Sequence, residues 1–268
     1  MFQKYIKLTL GNFIEFSKHI SLNSKPQIDL YFDEKYLWMN SRSSFSAFNS
    51  IFNTTKDESG LEEILEKAKD YFAPKEHVYW STNKPENIDN QYKNIFDKYG
   101  YLCGGVYTGV MKNLNTQLNT PNINPDIKIK KITQAEEYKS YIDIITIGFG
   151  LNNEVKKEFE KKLDILNEKL NLTHYLAFFN NKPCSVATSF YHNKTVGLYN
   201  AATLPEYRKK GVFTAIMNIA LSNAQNKGCN YAVAQLMGKK QASGLVNTFD
   251  FEEVAYFTPY IQGGSLEP

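Results

Sequence analysis

The amino-acid sequence predicts an α/β (α+β) chain made of two tandem halves, each a mixed, mostly antiparallel sheet flanked by helices. Three observations predict it. From Ile127 onward the hydrophobic period alternates between about 2 and about 3.6 residues, in the order β-α-α-β-β-β-α-β-α-β. Before residue 112, a helix, strand, polar loop, helix and strand echo the end of that order. Between the two, Asn113 to Pro125 holds two prolines, five asparagines and no charge, which is linker composition. We therefore expect an N-terminal domain over residues 1–112, a linker over 113–126 and a second domain over 127–268. A chain of 268 residues can bury a core in each.

In the first half, Gly60 to Tyr71 reads as a helix, His77 to Trp80 as a strand and Ile88 to Lys98 as a helix, and Gly100-Tyr101 opens a strand running to Met111. In the second half, Ile127 to Ile132 alternates as a strand. Thr133 with Glu136 three residues on forms a capping box for a helix to Gly148, and a charged helix follows from Asn153 to Leu170. His174 to Phe179 and Pro183 to Tyr191 flank Asn180-Asn181, a tight hairpin, because Asn tolerates the left-handed conformation such turns need. That turn pairs Cys184 with Ala177 and puts neither His174 nor His192 opposite the thiol, so no Cys-His nucleophile is expected. Thr195 to Thr203 extends the meander. Val212, Ala215, Ile216, Ile219 and Ala220 form one stripe of a helix that Gly228 caps. Tyr231 to Met237 is a strand, Gln241 to Thr248 a short helix and Phe251 to Tyr260 a final strand.

Charge and composition exclude several function classes. The 31 basic and 28 acidic residues give a formal charge of +3, too mild for a nucleic-acid surface without a local basic patch. No apolar run reaches 18 residues, so no membrane partner is expected. Lys4, Lys7, Glu15 and Lys18 interrupt Met1 to Ile20, which argues against a leader. Three cysteines without C-x-x-C spacing suit a reducing compartment, so the expected location is cytoplasmic. Four histidines without i, i+4 spacing suggest no metal site.

The stretch from Tyr199 to Thr214 carries the chemistry. A strand ends, a Pro-containing turn follows, and Arg208, Lys209, Lys210 and Gly211 precede an amphipathic helix. Unpaired N–H groups at a helix start, with a glycine that keeps side chains out of the way, make an anion site suited to a diphosphate. The spacing is neither a Walker loop nor the G-x-G-x-x-G fingerprint. Basic residues ahead of a helix also occur as a plain solvated cluster, and context separates the two readings. Only two of the 31 basic residues are arginine, Arg42 and Arg208, and one of them opens this loop.

Arg208-Lys-Lys-Gly211-Val-Phe, with its lead-in Leu204-Pro-Glu-Tyr-Arg, resembles the [RQ]-x-x-G-x-[GA] loop of the GNAT superfamily of acyl-CoA-dependent N-acyltransferases, placed as in that family after the fourth strand. The resemblance covers residues 127–261 and departs at Phe213, where Gly or Ala is usual. The first half resembles the degenerate first domain of tandem GNAT proteins, so the resemblance implies two tandem GNAT-like domains, with acetyl-CoA as cosubstrate in the second and the first shaping the acceptor cleft. It implies that Ala201, Ala202 and Thr203 lie along the pantetheine arm, that Lys209, Lys210, Gly211, Val212, Phe213 and Thr214 wrap the pyrophosphate, and that Arg208 adds charge. The Ala202 or Thr203 amide would steady the oxyanion, worth about 3 kcal/mol.

For proton transfer the same resemblance leaves the usual tyrosine acid replaced by Val246, with Tyr256 or Ser243 as substitutes and Tyr199, His192 or Glu206 as candidate bases. An alkylamine acceptor is neutral in only about one molecule in 2,500 at pH 7, a deficit of roughly 4.6 kcal/mol that a base must offset. The expected partner is a small-molecule or peptide amine, with the protein a monomer or homodimer. A non-catalytic acyl-CoA-binding module, and an RNA- or protein-binding module sharing only the fold, are the rival readings.

Overall fold

Apolar residues recurring every second position build twelve strands, and stripes every three to four residues build seven helices, among the described residues of a computed structural model. The structure describes residues 2–23, 28–33, 35–42, 46–118, 124–161 and 171–263. The first half contains α1 (Phe2–Asn23), β1 (Asp29–Phe32), β2 (Tyr36–Asn40), β3 (Asn49–Asn53), α2 (Leu61–Phe72), β4 (Val78–Ser81), α3 (Asn90–Lys98), β5 (Tyr101–Cys103) and β6 (Tyr107–Asn113). The second contains β7 (Ile127–Lys131), α4 (Ala135–Phe149), α5 (Asn153–Lys161), β8 (Leu172–Phe179), β9 (Lys182–His192), β10 (Thr195–Thr203), α6 (Val212–Asn226), β11 (Tyr231–Met237), α7 (Gly238–Phe249) and β12 (Glu252–Gln262).

All strands join one sheet in the order β1-β2-β3-β4-β12-β6-β11-β10-β9-β8-β7, with β5 also on β12. The two halves repeat one pairing scheme. β2 and β3 run antiparallel and β3 and β4 parallel across α2, while β9 and β10 run antiparallel and β10 and β11 parallel across α6. Each half lends a strand to the other. β6 pairs with β11, and the C-terminal strand β12 pairs with β4, so hydrogen bonding crosses the turn-prone segment after residue 112.

Helices cover both faces. α6 buries Val212, Ala215, Ile216, Ala220 and Ala224 against Tyr175, Ala187, Val196 and Ala232. On the opposite face α4 packs Tyr138, Tyr141, Ile142 and Ile145 against Leu176, Val186 and Ala202. A separate core gathers Leu61, Leu65, Ala68 and Phe72 of α2 with Tyr79, Phe96 and Tyr260. Burial of each such side chain contributes on the order of 1.5–3 kcal/mol.

Several boundaries move for local reasons. The helix expected from Thr133 starts one residue later: Gln134 caps it, and the carboxylate of Glu137, not exposed Glu136, accepts the N–H groups of Thr133 at 2.9 Å and Gln134 at 3.3 Å. That start turns Tyr138 and Tyr141 onto the sheet. The strand expected from Gly100 to Met111 breaks at Gly104–Val106, where Gly105 takes φ +91. The short helix begins at Gly238 rather than Gln241. Of the charged helix expected to reach Leu170, residues 162–170 lie outside the described residues.

The Asn180-Asn181 hairpin forms as expected, with φ of 49 and 62. Its register differs by a bulge. Ala177 pairs with Ser185 and Phe178 with Pro183, so Cys184 is the extra residue, and its thiol reaches the Ala177 carbonyl at 3.5 Å. Burial pushes that thiol up to about 11, and His174 stands across from Thr188, so the pair is no nucleophile.

α1 is an element the sequence reading did not anticipate. It lies over β6, β10, β11 and β12, burying Leu10 among Met111, Val233, Val254, Ala255 and Phe257. The approach is close enough that a Cβ on Gly197 would sit 2.0 Å from Asn12 Oδ1 and 2.4 Å from Tyr199 Cε2. We expect Gly197→Ala to cost about 1–3 kcal/mol through this overpacking, read as a lowered denaturation midpoint; an unchanged midpoint would contradict the docking of α1.

Two buried histidines set a pH dependence. Burial pulls His77 and His174 down to about 4, from an ordinary 6.5. The unfolded chain therefore binds protons that the folded chain refuses, and stability present above about pH 6.5 is lost as pH falls toward 4. Denaturant midpoints across that window should fall with pH, and His77→Gln with His174→Gln should flatten the slope.

Candidate active site

β10 and β11 pair over three positions only, Thr195 with Tyr231, Val196 with Ala232 and Gly197 with Val233. Beyond Gly197, β10 stays with β9 while β11 follows β6 as far as Met237 opposite Tyr107, so a wedge opens between Leu198–Thr203 and Ala234–Met237. A bulge steers the departing strand. The β9 register jumps from Tyr199–Thr188 to Ala202–Val186, and Asn200 takes φ 51 to absorb the extra residue. Leu204 then donates to Cys184 O at 2.9 Å. Alternation along an extended strand therefore turns the Thr203 N–H away from β9, into the wedge, and the Ala202 N–H toward β9.

At the mouth of the wedge the chain builds an anion cradle. Lys209 and Gly211 both adopt left-handed backbone, φ 63 and 80, with Lys210 between them outside that region, which turns successive N–H groups to one side. Gly211 caps α6 with no side-chain hydrogen bond to the helix, leaving the first-turn amides for a ligand. A Cβ at Gly211 would meet nothing within 4 Å. The glycine is thus required by its φ, and the space above it is open. A helix start of this kind adds about 0.3–1 kcal/mol for an anion at an exposed position.

Ala201, Ala202, Thr203, Arg208, Lys209, Gly211, Val212, Phe213 and Thr214 all line one cavity of about 470 Å³ there. Arg208 has a role the sequence did not indicate. Its guanidinium donates to Thr203 O at 3.1 Å and to Gly148 O at 3.2 Å, tying the loop to the ends of β10 and α4. Lys210 is placed apart from the cavity lining, its ammonium 5.2 Å from the Tyr207 ring centre and 5.3 Å from that of Phe179. Phe213 lines the cavity and packs toward Phe249, ring centres 6.4 Å apart.

Ala201 and Phe149 also line a second cavity, of about 340 Å³, on the side of the first half. Leu10 and Phe13 of α1, Phe52 of β3, Trp80 of β4 and Tyr107 of β6 form its walls, with Leu198, Tyr199, Asn200, Gln235, Leu236, Met237 and Phe257. Tyr199 is buried, stacked on Phe16 at 4.2 Å and donating to Asn12 Oδ1 at 2.8 Å. Burial raises its phenol far above the ordinary range, so it stays protonated.

The other proton-transfer candidates stand elsewhere. Tyr256 donates to Glu253 Oε2 at 3.1 Å beneath the Lys84 ammonium, exposed Ser243 lies on α7, and neither lines either of these two cavities. His192 bonds Asn193, Glu206 is exposed, and Val246 packs against the core. Sequence reasoning missed the α1 contribution, although Leu10, Phe13 and Ser17 already follow helical spacing. With inorganic pyrophosphate as probe, Lys209→Ala should weaken binding several-fold and Gly211→Asp should abolish it, while Lys210→Ala changes it less than about twofold. Calorimetry reads this, and an equal loss from both lysines would contradict the placement of Lys210.

Comparison with known proteins agrees with this geometry. Residues 141–245 match the model of the acetyltransferase (GNAT) family. No curated protein matches the chain. Among solved structures, a GCN5-related N-acetyltransferase from Kribbella flavida superposes with a TM-score of 0.69 at 12% identity, over 94% of this chain and 96% of that one. A GCN5-related N-acetyltransferase from Sphaerobacter thermophilus gives 0.62 at 9%, over 90% and 83%. A tandem GNAT protein from the clavulanic acid biosynthesis pathway gives 0.57 at 9%, over 87% and 80%. Among the described residues, no helix is long and apolar enough to cross a membrane. The chain has the GNAT acetyltransferase fold, and its structural neighbours include tandem GNAT proteins.

Proposed function

We propose that this protein is an acyl-CoA-dependent N-acyltransferase that takes acetyl-CoA as cosubstrate and acetylates a primary amine of a small molecule or peptide by direct attack in a ternary complex. One observation carries the reading: a wedge between two parted strands joins an anion cradle at one end to a largely apolar cavity at the other, and both meet at Ala201. The cradle suits a diphosphate, and the parted edges suit an extended chain with amide groups. The cosubstrate, when bound, supplies an activated thioester carbonyl.

The protein's own groups bind and orient. The amides from Gly211 to Thr214 would hold the diphosphate. The wedge-facing Thr203 N–H favours that amide over Ala202 as donor to the developing oxyanion, worth about 3 kcal/mol. Tyr199, held protonated by burial, acts as a hydroxyl in the cavity wall and not as a base. We place the acceptor in the 340 Å³ cavity, which residues of both halves line, and keep the division at 113–126 as the working domain boundary. Val246, where the family resemblance leads one to expect a tyrosine, favours the second reading, a non-catalytic acyl-CoA-binding module.

Calorimetric titration with acetyl-CoA should detect binding that Gly211→Asp weakens at least about tenfold, roughly 1.4 kcal/mol. Absence of binding at millimolar concentration would contradict both readings. Thiol release across a panel of amines then separates them: turnover supports the enzyme, and binding without turnover supports the module.

A further inference from the structure

The cavity next to the wedge is walled by rings and aliphatic groups. Phe13, Phe52, Trp80, Tyr107 and Phe257 surround it, and Phe149 and Met237, which are 46% and 55% exposed, extend the apolar surface to its rim. Among the described lining residues there is no Asp, Glu, His, Lys or Arg. The polar groups are Asn200, Gln235 and the phenols of Tyr107 and Tyr199, and burial raises both phenols so that they are neutral. Gln235 is itself engaged, donating to Thr9 O at 3.2 Å.

An ordinary alkylamine fits this cavity badly. It arrives as an ammonium, and moving an unpaired ammonium out of water is costly. Aromatic faces return only a part of that. They would also hold the nitrogen protonated, which opposes its use as a nucleophile. None of the described lining groups is able to take the proton before attack. Both difficulties vanish for an acceptor that is already neutral.

We infer that the acceptor is an apolar, weakly basic primary amine of arylamine type, uncharged at neutral pH, and not a polyamine, an aminoglycoside or a lysine side chain. This rests on the acyltransferase reading above. The nitrogen lone pair forms the C–N bond at the thioester carbonyl carbon as the C–S bond breaks. The proton shed by the nitrogen goes to the departing thiolate sulfur. The products are an N-aryl amide and the free thiol of CoA, and no base on the protein is needed. The cavity walls contribute orientation and an apolar surface.

The test measures thiol release with acetyl-CoA and aniline, benzylamine, spermidine or an aminoglycoside. Aniline and benzylamine are close in size and differ chiefly in basicity. At pH 7 we expect kcat/KM for aniline to exceed that for benzylamine by at least about tenfold. The aniline profile should be flat from pH 6.5 to about 9, and that of benzylamine should climb toward the pKa of the amine. Gln235→Glu, which puts a carboxylate into the wall, should move the preference toward benzylamine, and Phe52→Ala should shift it toward larger aryl groups. Preference for spermidine, the aminoglycoside or benzylamine at pH 7 would overturn the inference, as would acetyl-CoA binding with no turnover of aniline. Failure to bind acetyl-CoA at all would instead remove the acyltransferase reading on which it stands.

Discussion

Everything at the site follows from the parting of β10 and β11 after Gly197 and Val233. A parallel strand pair would ordinarily continue its ladder, because unpaired backbone groups in a sheet interior are costly. Here the ladder stops after three pairs. The bulge at Asn200 bends β10 toward β9, while β6 holds β11 straight through seven pairs. The exposed edges are therefore a template for an extended ligand with amide groups. The same divergence sets α6 with its N-terminus at the wedge mouth, so the strand ends and the helix start line one cavity.

The strand exchange ties the first half to the site. β6 is the support that keeps β11 away from β10, and it comes from before the turn-prone segment. In return β12 completes the sheet beside β4. The same arrangement brings Phe52, Trp80 and Tyr107 to the wall of the second cavity. α1 locks the assembly, because Asn12 sits over Gly197 and accepts from Tyr199, and Phe16 stacks on that ring. A side chain at Gly197 would press on the Asn12 and Tyr199 side chains where the strands begin to part.

Much of the fold was legible because its signals are local. The Asn180-Asn181 turn, the buried stripe of α6 and the glycine ahead of it each need only a few neighbouring residues to be read. The cradle was legible for the same reason, since Lys209 and Gly211 lie in one short loop. What stayed hidden depends on distant contacts. Asn12 meets Tyr199 across 187 residues, so α1 carried helical spacing but no indication of its place. The exchange of β6 and β12 is likewise a matter of partner choice. Arg208 read as a phosphate ligand because sequence displays its charge and not the carbonyls of Thr203 and Gly148 that its guanidinium meets. The guanidinium meets those carbonyls while Arg208 still lines the cavity beside Lys209 and Gly211.

The central claim is that an acyl-CoA lies along β10 with its phosphates on α6. Amide hydrogen exchange with and without acetyl-CoA tests it most directly. The account predicts added protection at Thr203 and from Gly211 to Thr214, with little change in α2 and α3. Protection confined to other elements, or none at saturating acetyl-CoA, would contradict it.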